Sequence, residues 1–294
     1  MKWILYILLC VIWGSSFILM IKGLDYLNPY EVAAIRMLSA GIISLPFAYR
    51  SLMNINKQQR IYSILTGILG SYIPAVLFCV AETKIESALA GMLNALTPLF
   101  VLLIGSLFFG LKMEKEKLAG VLIGFLGMIL LFINKKGGIN IDQLPYLTLV
   151  VTATICYGIN VNIASRYLQG VKPLAIASVA FTFLIPLSII LLISQGFFNH
   201  NFTNKGVMIS MGAAVILGIT GTAIATILFY MLMKKAGPLF SSMVTYGIPF
   251  VALTWGQVDG EEISILQIAG LLIILAGVYV VNRFNAQKMQ AGIE

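Results

Sequence analysis

Charge is what this chain lacks. Only 10% of its 294 residues are Asp, Glu, Lys or Arg, where a soluble domain carries about 25%. Hydrophobic residues make up 60% of the chain, and the mean hydropathy is +0.97. Such a chain cannot cover a water-soluble surface, so it reads as an integral membrane protein. Histidine is nearly absent: His200 is the single one, between Asn199 and Asn201 in a polar stretch. No metal-ligand spacing, phosphate-binding loop or nucleophile elbow occurs, so catalysis and ATP-driven pumping lack their parts and neither metal nor cofactor is expected. The three cysteines, Cys10, Cys79 and Cys156, each sit inside an apolar run. They read as small buried hydrophobes, and no disulfide framework is expected. Long polar stretches are also missing. The longest lie near 50–60, 134–143 and 195–206, which leaves no room for a soluble domain.

Apolar runs fill the rest. A helix crossing about 30 Å of hydrocarbon needs about 20 apolar residues. The runs here are continuous rather than alternating, which favours helices over a barrel. They predict ten spans at roughly 3–21, 31–49, 61–80, 87–109, 116–133, 144–165, 173–194, 208–231, 238–256 and 265–282. Met1–Lys2 before an apolar run has the look of a signal peptide. The segment has no A-x-A-like cleavage site and carries a motif that recurs later, so it is read as the first span.

The net charge of +8 does not point to nucleic acid, because its distribution follows the membrane. With the N-terminus inside, thirteen basic residues fall on the cytoplasmic side and five outside (Lys22, Lys84, Lys135, Lys136 and Lys205), with Arg36 left in a span. Positive charge favours the cytoplasm, so both termini are expected there. Lys135–Lys136 sits on the wrong side for this rule.

The second half repeats the first. Gly14 and Pro29 recur as Gly158 and Pro173, Lys22 as Arg166, and Pro98 as Pro249. The run Leu118–Leu131 matches 268–281, with Gly120 and Gly127 answering to Gly270 and Gly277. The offset drifts from 144 to 151 along the chain. Five spans per copy turn the second copy upside down, an architecture that places a substrate site between the halves. The expected organisation is a first repeat at 1–135, a linker at 136–143, a second repeat at 144–284 and a short cytoplasmic tail at 285–294.

The order of these features resembles the drug/metabolite transporter superfamily, and within it proteins with two EamA domains. The resemblance rests on Ile12-Trp13-Gly14-Ser15-Ser16-Phe17, on Pro29 with Arg36, on Asn94-Ala95-Leu96-Thr97-Pro98-Leu99, and on Gly120 and Gly127. In the second copy it rests on Tyr157-Gly158, Pro173, Ile248-Pro249, Glu261, Gly270 and Gly277. It implies an all-α membrane protein of ten helices in two inverted five-helix repeats. It further implies a cavity enclosed by spans 1, 3, 4, 6, 8 and 9, and export of small metabolites, commonly amino acids, across a bacterial cytoplasmic membrane. The family's Glu nine residues before the first glycine of the last span is present as Glu261 before Gly270. The matching position before Gly120 is Leu111, with Glu114 and Glu116 nearby, so the two halves are not equivalent.

Polar residues inside spans tend to face the bundle interior. They nominate Trp13, Ser16, Tyr72, Asn94, Thr97, Tyr157, Asn160, Tyr230, Thr245 and Tyr246 as a substrate lining. Small-residue packing at Gly14-Ser15-Ser16 and interhelical hydrogen bonds from Asn160 and Asn162 are the structural alternatives. Thr220, Thr222 and Thr226 rank lower, because threonine often bonds back to its own helix. Proline frees a carbonyl one turn earlier, so Pro98 and Pro249 are candidate gates. Because the resemblance places span two at the periphery, Arg36 reads as a structural anchor to a carbonyl or acid, with a substrate carboxylate contact as the alternative; Glu31 lies five residues away. No acid lies mid-span, so coupling to protons falls to Glu82 and Glu86 at the start of span four. The expected function is secondary transport of small neutral or zwitterionic metabolites by a monomer in the lipid bilayer. A channel-like facilitator and a membrane scaffold remain as alternatives.

Overall fold

The computed structural model describes residues 2–111, 115–131 and 141–291. Lys112, Glu114, Lys135, Lys136 and most of the 136–143 linker lie outside them. The described residues are helical and contain no strand. In chain order the helical segments are α1 (Lys2–Leu24), α2 (Pro29–Asn54), α3 (Lys57–Ala81), α4 (Ser87–Phe109) and α5 (Lys115–Leu131). They continue as α6 (Leu144–Tyr167), α7 (Pro173–Ser194), α8 (Lys205–Pro238), α9 (Val244–Val258) and α10 (Ile265–Ala291). Seven of them, α1 to α4 and α6 to α8, are long and apolar enough to cross a membrane. Leu118–Leu131 and Ile265–Val280 are shorter apolar helices.

Local sequence sets the boundaries. The Asn28 side chain accepts from the Tyr30 and Glu31 backbone N–H groups, and Glu31 returns a bond to the Asn28 N–H. With Pro29 as the first helical residue, this reciprocal cap fixes the start of α2. Asn56 and Gln59 do the same for α3. Near the end of α8 the chain kinks at Gly237, whose φ of 83° and ψ of 165° suit glycine far better than a residue with a Cβ. Pro238 then restarts the helix.

Packing follows an interchange of the two halves. α5 pairs with α10 and α2 with α7; α1 pairs with α9 as α4 does with α6; α3 pairs with α6 as α8 does with α1. Exchanging each helix for the one five places on returns the same set of partners. The α5–α10 contact also gives its direction. A methyl group on Gly127 would meet the Gly270 carbonyl, and one on Gly277 would meet the Gly120 carbonyl. Contacts that descend on one helix as they ascend on the other mean that the helices run antiparallel, with backbones touching through glycine.

Two helices widen midway. Residues Ile68–Tyr72 of α3 and Leu217–Ile224 of α8 form π-helical turns. They stand at equivalent places, because Gly70 and Ser71 correspond to Gly221 and Thr222 at the 151-residue offset that relates Pro98 to Pro249. Such turns concentrate at functional sites, and both of these border the centre of the bundle.

Candidate substrate cavity

A cavity of about 90 Å³ lies at the centre, walled by α1, α2, α3, α4, α6, α8, α9 and the turn preceding α9. A water needs about 10–15 Å³ on this measure, so the space suits several waters or a compact solute. Its polar wall comes in matched pairs from the two halves: Ser16 with Asn160, Ser71 with Thr222, and Asn94 with Thr245. Its apolar wall is mostly aromatic, with Trp13, Phe17, Phe78, Tyr157, Phe229 and Tyr230.

Each π-turn approaches the partner helix through glycine. A Cβ on Gly70 would run into the Asn160 amide, and one on Gly221 would run into the Ser16 hydroxyl. The wider turn also leaves a carbonyl for a side chain: Trp13 Nε1–H donates to Gly221 O at 3.0 Å. This bond fixes the indole at the cavity wall. The break in α4 is handled similarly. Pro98 has no N–H for the Asn94 carbonyl, and Thr97 Oγ1–H donates to that carbonyl at 2.8 Å instead. The Asn94 side chain is thereby left at the wall.

Eight of the ten residues nominated as lining stand on the wall: Trp13, Ser16, Asn94, Thr97, Tyr157, Asn160, Tyr230 and Thr245. Tyr72 does not. Its hydroxyl donates to Leu187 O on α7 at 3.4 Å, because the π-turn ends at Tyr72 and changes the phase of the helix there. Tyr246 is next to Thr245 and so lies about 100° round the helix; it packs partly buried against the core. Asn162 is also off the wall. It donates to Val101 O and Gly158 O, both at 2.9 Å, and so ties α6 to α4. Pro98 and Pro249 shape their helices without lining the cavity.

Tyr230 belongs to two spaces. A second hollow of about 250 Å³ lies toward the α6–α7 turn, lined by Gln169, Gly170, Lys234 and Pro238 among others, and Tyr230 borders both. Its hydroxyl donates to Asn160 Oδ1 at 3.2 Å. This tyrosine–amide contact therefore stands between the central cavity and the hollow at the N-terminal end of the bundle.

The opposite end is tied by polar contacts. Glu261 accepts from Ser87 N (2.8 Å), Ser87 Oγ (2.6 Å) and Ala88 N (3.0 Å), capping the start of α4 from the loop before α10. Lys22 pairs with Asp259 at 2.7 Å. At the position equivalent to Glu261, Leu111 packs toward Gly105 as Glu261 does toward Gly256. The carboxylate cap is thus present on one side of the pseudo-symmetric pair and an apolar contact on the other.

Arg36 was expected as a peripheral anchor, yet it reaches the cavity wall with 8% of its surface exposed. Nε–H donates to Thr222 Oγ1 at 2.7 Å, and Nη1 lies 3.8 Å from Met20 Sδ. Glu31 turns instead to His200, Oε1 to Nε2 at 3.0 Å. Glu82, just past the end of α3, is 5% exposed, and neither of its carboxylate oxygens has a hydrogen-bond partner. Burial pushes its carboxyl well above the usual carboxylate range; Glu261 adds to the shift and Arg36 opposes it. Glu86 takes the N-cap position of α4. Among the described residues no group of His, Cys, Asp and Glu could hold a metal ion. Sequence reasoning missed the π-turns, the reach of Arg36, and the wall residues Ser71 and Ser242. The shared offset of Gly70-Ser71 and Gly221-Thr222 was the available signal for the first of these.

Comparison with known proteins agrees with this architecture. The EamA-like transporter family matches residues 1–133 and again 144–283. An uncharacterized inner membrane transporter, YedA of Escherichia coli K12, is 27% identical over 93% of this chain and 88% of its own length. A probable amino-acid metabolite efflux pump of Salmonella typhimurium is 24% identical over 94% of this chain and 93% of its own. A solved crystal structure superposes with a TM-score of 0.67 over 97% of both chains at 18% identity, which shows a shared fold.

Proposed function

The chain belongs to the EamA-like transporter family, and we propose on that premise that it moves small neutral or zwitterionic metabolites, amino acids first, by alternating access. It is a membrane transporter, and its family and relatives are transporters rather than enzymes. The observation that carries the substrate reading is the set of matched, uncharged polar pairs on the wall: Ser16 with Asn160, Ser71 with Thr222, Asn94 with Thr245. Paired hydroxyls and amides on an aromatic background suit a solute with both a polar head and an apolar body. The relatives named as amino-acid metabolite efflux pumps point the same way.

The proposed machine has ten spans in two five-helix halves of opposite orientation. The interchange of helix partners and the antiparallel α5–α10 glycine contact support it. The halves rock about the cavity. Polar ties at Glu261 and Lys22–Asp259 close one end, and the Tyr230–Asn160 contact closes the other. Both termini are cytoplasmic by the basic-residue bias, the working unit is a monomer, and Glu82, with Glu86, is the site for proton coupling. Counterflow in liposomes tests this reading: a carrier preloaded with unlabelled amino acid accumulates label transiently, and a channel does not. Absence of saturable exchange for every amino acid would overturn it.

A further inference from the structure

Arg36 carries a full positive charge into the low-dielectric centre of the bundle, where an uncompensated charge is costly. A guanidinium has five N–H donors. One of Arg36's serves Thr222 Oγ1, and one points to the thioether of Met20. Both partners are neutral, and among the described residues no carboxylate pairs with Arg36. The acids at the outer ends of α2, α3 and α4 do not pair with it. Glu31, on the same helix, is spent on His200 and the α2 cap. Glu261 is spent on the start of α4. Glu82 is buried with no hydrogen-bond partner for either carboxylate oxygen, so it makes no pair with Arg36. The cavity therefore has a cation without an anion.

We propose that Arg36 is the recognition site for a substrate carboxylate, so that the transported class is carboxylate-bearing metabolites with an apolar body. The inference rests on the transport reading above and narrows it: the wall is not neutral in effect, and amino acids qualify through their carboxylate. A guanidinium presents two parallel N–H groups to a carboxylate, and this arrangement gives orientation as well as strength. Thr222 holds Nε from the π-turn of α8, which aligns the fork from the second half of the protein. A bound carboxylate would then touch α2 directly and α8 through Thr222, joining the halves at the moment of occupancy. The aromatic wall receives the body of the solute. A phosphate would bring a second negative charge that one arginine leaves uncompensated, so the carboxylate is the better match.

The test uses the purified full chain in detergent and in liposomes, with four probes of one shape: leucine, leucinamide, 4-methylvalerate and 4-methylvaleramide. Thermal stabilisation and inhibition of exchange are read for wild type, Arg36→Gln, Arg36→Lys and Thr222→Val. The expected result is a preference of at least about tenfold for each acid over its amide, the usual scale for a charge-assisted hydrogen-bond pair. Arg36→Gln abolishes the preference, Thr222→Val reduces it, and Arg36→Lys keeps part of it. A monodisperse Thr222→Val variant preserves the test if Arg36→Gln does not fold. Equal response to acids and amides in the wild type, or response to none of the four, overturns the carboxylate site. Preference for 4-methylvalerate with no exchange of leucine would overturn the amino-acid reading and leave the carboxylate site standing.

Discussion

Arg36 on α2 and Thr222 in the π-turn of α8 are joined by a hydrogen bond of 2.7 Å that crosses from the first half of the chain to the second. It places the mid-span charge and one member of the matched polar wall in a single contact. Hydrogen bonds to charged groups contribute about 1.5–3 kcal/mol. Thr222→Val removes this one while keeping the side-chain shape. Melting of the purified variant is expected to fall by that scale; an unchanged melting temperature would show that the bond does not hold the halves together.

The Tyr230–Asn160 contact separates two hollows, so its two partners should act as one device. Tyr230→Phe and Asn160→Ala are expected to raise exchange leak by similar amounts. In the double variant the effects should not add, with a coupling of about 0.5–1.5 kcal/mol. Additive effects would place the barrier elsewhere.

Glu82 makes stability depend on pH, with a definite sign. Burial holds its folded carboxyl well above the ordinary value of 4.5. The contribution is fully present below about that unfolded value. It is lost as pH rises toward the raised folded value, since the unfolded chain releases the proton first. Melting temperature should therefore decline with rising pH above about 4.5, and Glu82→Gln should flatten the decline and raise stability at neutral pH. An identical pH profile in the variant would remove Glu82 as the titrating group and weaken its assignment to proton coupling.

Glu261 satisfies backbone N–H groups at the start of α4 that nothing else on its own helix can reach. Loss of a helix cap costs about 0.5–2 kcal/mol. Glu261→Ala is expected to show that loss and to shift the transporter toward opening at that end, read as faster cysteine labelling of a reporter introduced at the buried Ala88, which meets Glu261 through its backbone N–H. Unchanged labelling would mean that the cap serves folding alone.

Gly127 and Gly270 sit where any Cβ would strike backbone. Replacing either by valine forces the α5–α10 backbones apart and should destabilise the protein by about 1–3 kcal/mol. Exchange activity per folded molecule should be retained, because the pair lies away from the cavity. Loss of activity at full stability would instead tie this contact to the transport cycle.

The membrane class, the helical content and the family were legible because they rest on features that composition and spacing carry directly. These are continuous apolar runs, the paired Gly14/Gly158 and Pro98/Pro249, and the glycine stripe of α5 and α10. Much of the cavity wall was legible for a related reason: in hydrocarbon a Ser, Asn or Thr must find a polar surrounding, and the bundle centre supplies it. The π-turns left no trace in composition, and their one signal was the shared offset of Gly70-Ser71 and Gly221-Thr222. They rotate Tyr72 away from the cavity and set Ser71 and Thr222 on its wall. The reach of Arg36 to the cavity wall was not legible from the place of its helix. α2 is largely outside the central ring, but an arginine is long enough to cross from its helix to the wall.

The most direct measurement is counterflow of labelled leucine into liposomes holding wild type, Trp13→Ala or Asn160→Ala protein, each with reconstitution verified. Saturable counterflow in the wild type, lowered by about tenfold or more when a wall residue is removed, is the predicted result. Counterflow that is absent in the wild type, or present and indifferent to both substitutions, would contradict transport through this cavity.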